Sequence, residues 1–146
     1  MSDSPDRQSE IIEQLKILLA GVPSFGAEVV EDSVLGVFDS EDDSLPDDLI
    51  ILQETATEEG ERTGTASCKE KLSLSIVPTT KRRNYMPLLR KARLDIKRAL
   101  KGVKAGLTVP GVVTVSWPAE TPLYPRDGRR FASRVIPLEI TYTQPL

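Results

Sequence analysis

Carboxylates at alternate positions, Asp39, Glu41 and Asp43, have the spacing with which a loop can gather oxygen ligands around calcium. Such a loop also needs a glycine at its sixth position for the sharp turn and a glutamate at its twelfth to complete the shell. Ser44 and Ile50 hold those places, so residues 39–48 read as a solvated acidic loop. A second chemistry is carried by bases. Lys81-Arg82-Arg83 precedes a stretch bearing Arg90, Lys91, Arg93, Lys97, Arg98 and Lys101, and such a row can track phosphates. Few aromatics are available to stack on bases, and no helix-turn-helix or RNA-binding motif is recognisable. A solvated basic face, or one that answers acidic loops on a neighbouring copy, is the commoner meaning of such a row.

Two shortages narrow the chemistry further. The chain has no histidine, which removes His-based triads, imidazole proton shuttles and the commonest metal ligand. Its one cysteine, Cys68, allows neither an internal disulfide nor a thiolate zinc cage. With no histidine to activate it, Cys68 reads as an inert thiol in a strand. Gly102, Gly106 and Gly111 are spaced turn residues rather than a phosphate loop. A carboxylate pair could work without histidine, as in glycosidases, but nothing singles out a pair, and 5% aromatics is poor material for a sugar cleft. The expectation is no enzyme activity, no cofactor, no metal and no small-molecule substrate.

The elements that would position these residues follow from periodicity. The length of 146 residues, with 39% hydrophobic and 28% charged, suits one soluble domain over 1–146. No apolar run approaches the roughly 20 residues that cross a bilayer, and the acidic start is unlike a signal peptide, so a cytoplasmic chain is expected. Ser4 as cap, Pro5 at the first helical position and Gly21 with Pro23 as the stop frame a first helix. Its apolar face is Ile11, Ile12, Leu15, Leu18 and Leu19. Residues 27–38 could be strands or an irregular arm. Leu49-Ile50-Ile51-Leu52, apolar throughout, reads as a central strand. A turn at Thr57–Arg62 leads to a strand from about Thr63 to Val77, giving an extended hairpin with a polar tip. Asn84 caps a second helix to about Lys101, with Tyr85, Leu88, Leu89, Ala92, Ile96, Ala99 and Leu100 on its buried stripe. Strands at Val112–Trp117 and Arg134–Thr143 follow, and Pro137 suggests an edge or a bulge in the latter. The fold class is α+β: a mixed, mostly antiparallel sheet of four to five strands, with two helices on one face and an extended hairpin.

Charge is sorted along the chain. Residues 1–61 hold 17 acids against two bases, a net of −15, and residues 62–146 hold 17 bases against five acids, a net of +12. Either the two groups lie on different faces, so that copies attract head to tail, or they neutralise each other within one fold. If copies join, the candidate contacts are Asp42, Asp43, Asp47 and Asp48 against Arg90, Arg93 and Lys97, or against Arg129 and Arg130.

The closing segment Asp127-Gly128-Arg129-Arg130-Phe131-Ala132-Ser133-Arg134-Val135-Ile136-Pro137-Leu138-Glu139-Ile140-Thr141-Tyr142, the opening helix Ile11-Ile12-Glu13-Gln14-Leu15 and the basic second helix before a glycine turn resemble the tail terminator (tail completion) proteins of long-tailed bacteriophages. The resemblance covers nearly the whole chain as an order of elements, without a catalytic signature. It implies an α/β domain that forms six-membered rings, caps the growing tail tube, and presents a surface to the head–tail connector or neck proteins. It also implies a lumen through which genomic DNA passes, and residence first in the host cytoplasm and then at the head-proximal end of the tail. The acidity of residues 39–48 departs from the pattern. The runner-up readings are a small basic-faced nucleic-acid-binding or regulatory protein, and a neck or head-completion protein. Metal analysis of the purified protein should find no stoichiometric zinc; a zinc-loaded protein, or a hydrolytic activity removed by one point mutation without unfolding, would contradict this reading.

Overall fold

The computed structural model describes residues 5–38, 45–125 and 130–146. Helix α1 runs Arg7–Leu19. Its cap is Asp6, whose carboxylate accepts the Ser9 amide at 3.3 Å, a bond that satisfies one of the free donors of the first turn. Ser4, the cap expected from the sequence, lies outside the described residues. Ile11, Ile12, Leu15 and Leu19 form the buried side of α1. The chain then turns through a short 3-10 segment, Phe25–Ala27. There a Cβ on Gly26 would lie 2.4 Å from the Leu19 carbonyl oxygen, so only glycine lets the turn close on the helix end.

Strand β1 is Val29–Glu31 and helix α2 is Val34–Phe38. The strand agrees with the expectation for the first part of 27–38, and the helix corrects it for Val34–Phe38. Its first turn is held by side chains: Ser33 Oγ accepts the Gly36 amide at 2.9 Å and the Gln53 carboxamide oxygen accepts that of Val34 at 2.6 Å. Strands β2 (Asp48–Thr63) and β3 (Ser67–Thr80) make the hairpin. The turn lies at 64–66 rather than at Thr57–Arg62, because Gly64, at φ 63°, supplies the left-handed residue. The 57–62 stretch stays in the ladder, through irregularities between Glu54 and Ala56 and between Glu59 and Arg62.

Helix α3 runs Tyr85–Ala99, with Asn84 at the cap position but without a side-chain cap bond. Strands β4 (Val112–Ser116), β5 (Thr121–Leu123) and β6 (Ala132–Pro145) complete one sheet of order β1-β2-β3-β6-β4, with β5 beside β6. The β1–β2 pair is parallel and every other pair antiparallel. The sheet is therefore mixed and mostly antiparallel, as expected, with six strands because two three-residue strands join it. Pro137 is not on an edge. It lies in a central strand, between the register of β4, which ends at Glu139, and that of β5, which starts at Val135, so its missing donor falls in a gap between partners.

Each face of the sheet has its own core. Ile50, Leu52, Leu72, Leu74, Ile76, Ile136, Leu138, Ile140 and Tyr142 pack under α1 and α3, where Leu89, Ala92 and Ile96 meet them and Leu88 is half-buried. On the other face Leu49, Ile51 and Val77 meet Val37 and Phe131, and Phe38 stacks on Phe131 at 5.6 Å. The continuous apolar run 49–52 is explained by this two-sided burial. Placing a carboxylate at the fully buried Ile140 leaves a charge without a partner, at a cost of several kcal/mol. Ile140→Asp should abolish the thermal transition of the folded domain. Thr141→Asp, beside Lys71 across the strand pair, should shift the melting temperature by only a few degrees; equal effects would mean that the strand phase is reversed.

Candidate assembly surface

Two carboxylates are drawn in from the surface and fixed by bases of the same chain. Asp48, 8% exposed at the start of β2, accepts Ser24 Oγ at 2.8 Å, Thr80 Oγ1 at 2.6 Å and Arg82 Nε at 3.1 Å, with a second, shorter contact to the Arg82 guanidinium. Burial pushes its pKa up, but the hydrogen bonds from Thr80, Arg82 and Ser24 outweigh that and hold it below its ordinary value. Asp48 thus ties the turn after α1 to the end of β3.

Glu120, between β4 and β5, is the second node. Arg93 and Lys97 of α3 and Arg134 of β6 each reach its carboxylate at 2.8 Å, and Lys97 also lies 5.5 Å from the Trp117 ring centre. Burial raises the carboxyl, and the bonds from Lys97, Arg134 and Arg93 overcome this, bringing it from the usual 4.5 to about 2. Three cations face one anion, so this cluster retains positive charge.

These partners revise the set of contacts expected between copies. Asp48, Arg93 and Lys97 are paired inside the fold, because a carboxylate taken from water needs hydrogen bonds close at hand. Asp42, Asp43 and Arg129 lie outside the described residues. Arg130 is exposed and engaged with another group, and Asp47 is exposed. Arg90 is exposed, and like Arg83, Lys101 and Lys104 its side chain has no hydrogen-bond or ion-pair partner among the described residues. Arg90 and Asp47 are therefore the expected contact residues that stay available among the described ones. Sequence reasoning missed Glu120 and Arg134. One signal was present: Glu120 is among only five acids in residues 62–146.

The outward side of α3 also carries apolar residues, with Met86 50% and Leu94 41% exposed. On the sheet face away from α3, a trough of about 1030 Å³ opens between α2 and the β5 segment. Leu35, Phe38, Leu123, Tyr124 and Phe131 line it. At Glu54 the trough adjoins a cleft lined also by Asp6, Glu13 and Glu31, where Lys16 bridges Glu13 and Glu31 at 3.4 and 3.3 Å. Neither Cys68 nor Tyr142 offers reactive chemistry. Burial pushes the Cys68 thiol up, away from the thiolate, and burial likewise raises the Tyr142 phenol, whose hydroxyl donates to Glu70 at 2.9 Å. No group of three His, Cys, Asp or Glu among the described residues is placed to hold a metal ion. None of the helices among them is long and apolar enough to cross a membrane. The chain matches no known family model and no curated protein.

The Glu120 node makes a signed prediction. Its lowered pKa contributes stability that is fully present above the unfolded value of 4.5 and is lost as pH falls through about 2. The shift corresponds to about 3 kcal/mol, reduced to about 1–2 kcal/mol because the three cations remain 24–35% exposed. Glu120→Gln should therefore lower stability by that amount at neutral pH. Denaturant titrations of the two proteins should converge between pH 4.5 and 2; a gap that widened on acidification would contradict the pairing.

Proposed function

We propose that this chain is a structural virion protein whose copies form a ring, six-membered as in the tail terminators it resembles. In this reading the ring caps the tail tube, ends its growth and offers the surface to which head–tail connector or neck proteins bind. The observation that carries the reading is the charge left after internal pairing. Arg83, Arg90, Lys101 and Lys104 remain unpaired among the described residues, while at a different surface Glu54 is unpaired beside Asp6, Glu13 and Glu31, a cleft where Lys16 alone faces four carboxylates. One molecule thus carries both halves of a complementary pair, which favours head-to-tail association of copies. The long hairpin, exposed from Glu54 to Arg62, supplies an arm that can reach a neighbour.

The unpaired cations on α3 and at its two ends, Arg90 with Arg83, Lys101 and Lys104, also favour a nucleic-acid reading. Met86 and Leu94, exposed among them, fit a protein surface better, since interfaces with nucleic acid are more polar and more basic.

Electron microscopy of particles assembled without this protein tests the role. Overlong tails are expected, whereas normal tails lacking heads would assign it to the neck. Sedimentation of the purified protein tests the association. The oligomer should weaken from about 0.1 M to about 1 M salt, over which the Debye length falls from about 10 Å to about 3 Å; strengthening with salt would remove charge as the cause.

A further inference from the structure

Met86, Arg90, Leu94 and Arg98 stand four residues apart on α3, and all four are exposed. Residues at that interval form a ridge along a helix, here about 18 Å long at roughly 1.5 Å per residue. Apolar and cationic side chains alternate along it. The trough beside α2 offers apolar Phe38, Leu123 and Phe131, with Leu35 61% and Tyr124 57% exposed. It then meets the acid-lined cleft at Glu54. Glu54 has no side-chain partner among the described residues.

We infer that the outward ridge of α3 in one copy seats in the trough of the next, with Met86 and Leu94 against its apolar residues and Arg90 and Arg98 toward Glu54 and the acidic cleft. This is the helix-in-groove mode, in which anchors at one helix interval fill an apolar channel and flanking charges set orientation. The chain does not fill its own trough with this ridge: the opposite side of its α3 is held by Leu89, Ala92 and Ile96 in the core of the other face, and Met86 and Arg90 only border Pro122, Leu123 and Tyr124 of their own chain, in a separate small pocket. Ridge and trough adjoin at Pro122, Leu123 and Tyr124 and are otherwise made of different residues, which makes the contact heterologous and able to close a ring. Charge selects a second copy as occupant: after pairing within the fold, α3 and its flanks keep Arg83, Arg90, Lys101 and Lys104 without partners among the described residues, and the cleft holds four carboxylates against Lys16.

The inference rests on the self-association in the proposed function, not on its place in a tail. Leu35→Cys protein mixed with Leu94→Cys protein and a short bis-maleimide should give a cross-linked heterodimer, with little product from either alone. Cys68, 3% exposed, is poorly placed to contribute. Leu35→Lys and Leu94→Glu should each weaken association at least tenfold in sedimentation, with unchanged circular dichroism, and mixing the two should recover it. Full-size oligomers without the heterodimer would overturn the docking and leave the ring reading standing. A protein that stays monomeric at every concentration would overturn both. Leu35→Cys coupling to itself would indicate trough-on-trough packing. Protection of Leu94→Cys from alkylation by duplex DNA, with none on oligomerisation, would assign the ridge to nucleic acid; either result also overturns the docking.

Discussion

A carboxylate that leaves water must find cations and donors nearby, and this requirement decides which charges the protein shows outside. The side chains of Asp48, Asp95 and Glu120 are only 9%, 11% and 12% exposed. Among them they engage Arg82, Lys91, Arg98, Arg93, Lys97 and Arg134. Much of the basic half of the sequence is thus used in holding the fold together. What stays unpaired among the described residues is Arg90 on α3 and Arg83, Lys101 and Lys104 beyond its ends, with Met86 and Leu94 exposed beside them, and such a mixture suits a surface that recognises protein. The polarity along the chain is consequently both an internal balance and an external asymmetry.

The parts of the fold legible in the sequence are those set by local repetition. The apolar interval of α1 and α3, the alternation of β6 and the unbroken run Leu49–Leu52 each report which sides are buried, since burial on a helix or strand follows its period. Less legible were features fixed by single contacts. Gly60 and Gly64 look alike as turn residues, and only the backbone angle separates them: Gly64 is left-handed and Gly60 stays in the ladder. Helix α2 is short and depends on Ser33 and on Gln53, nineteen positions from Val34, and no local window contains that second contact. Strand β5 exists because β6 offers it an edge.

The same distinction governs the candidate surface. That α3 would be basic was readable. That Arg93 and Lys97 would turn to Glu120, 27 and 23 residues onward, depends on tertiary placement. Reversing Arg93 or Lys97 to probe contacts between copies would strip a partly buried carboxylate of its partners, so loss of assembly would be confounded by loss of fold. Arg90 and Leu94 avoid this, because their side chains are exposed and unpaired, and the trough residues Leu35 and Tyr124 are exposed as well.

Pro137 lies in the interior strand where the partner strands β4 and β5 stop short of each other. Proline offers no amide hydrogen across that gap, and the chain between Ser116 and Thr121 makes no pairing with β6. That stretch carries Trp117 to Lys97 and Glu120 to Arg93 and Lys97. The linker that crosses the gap opposite Pro137 thus pins the far half of α3 through Trp117 and Glu120.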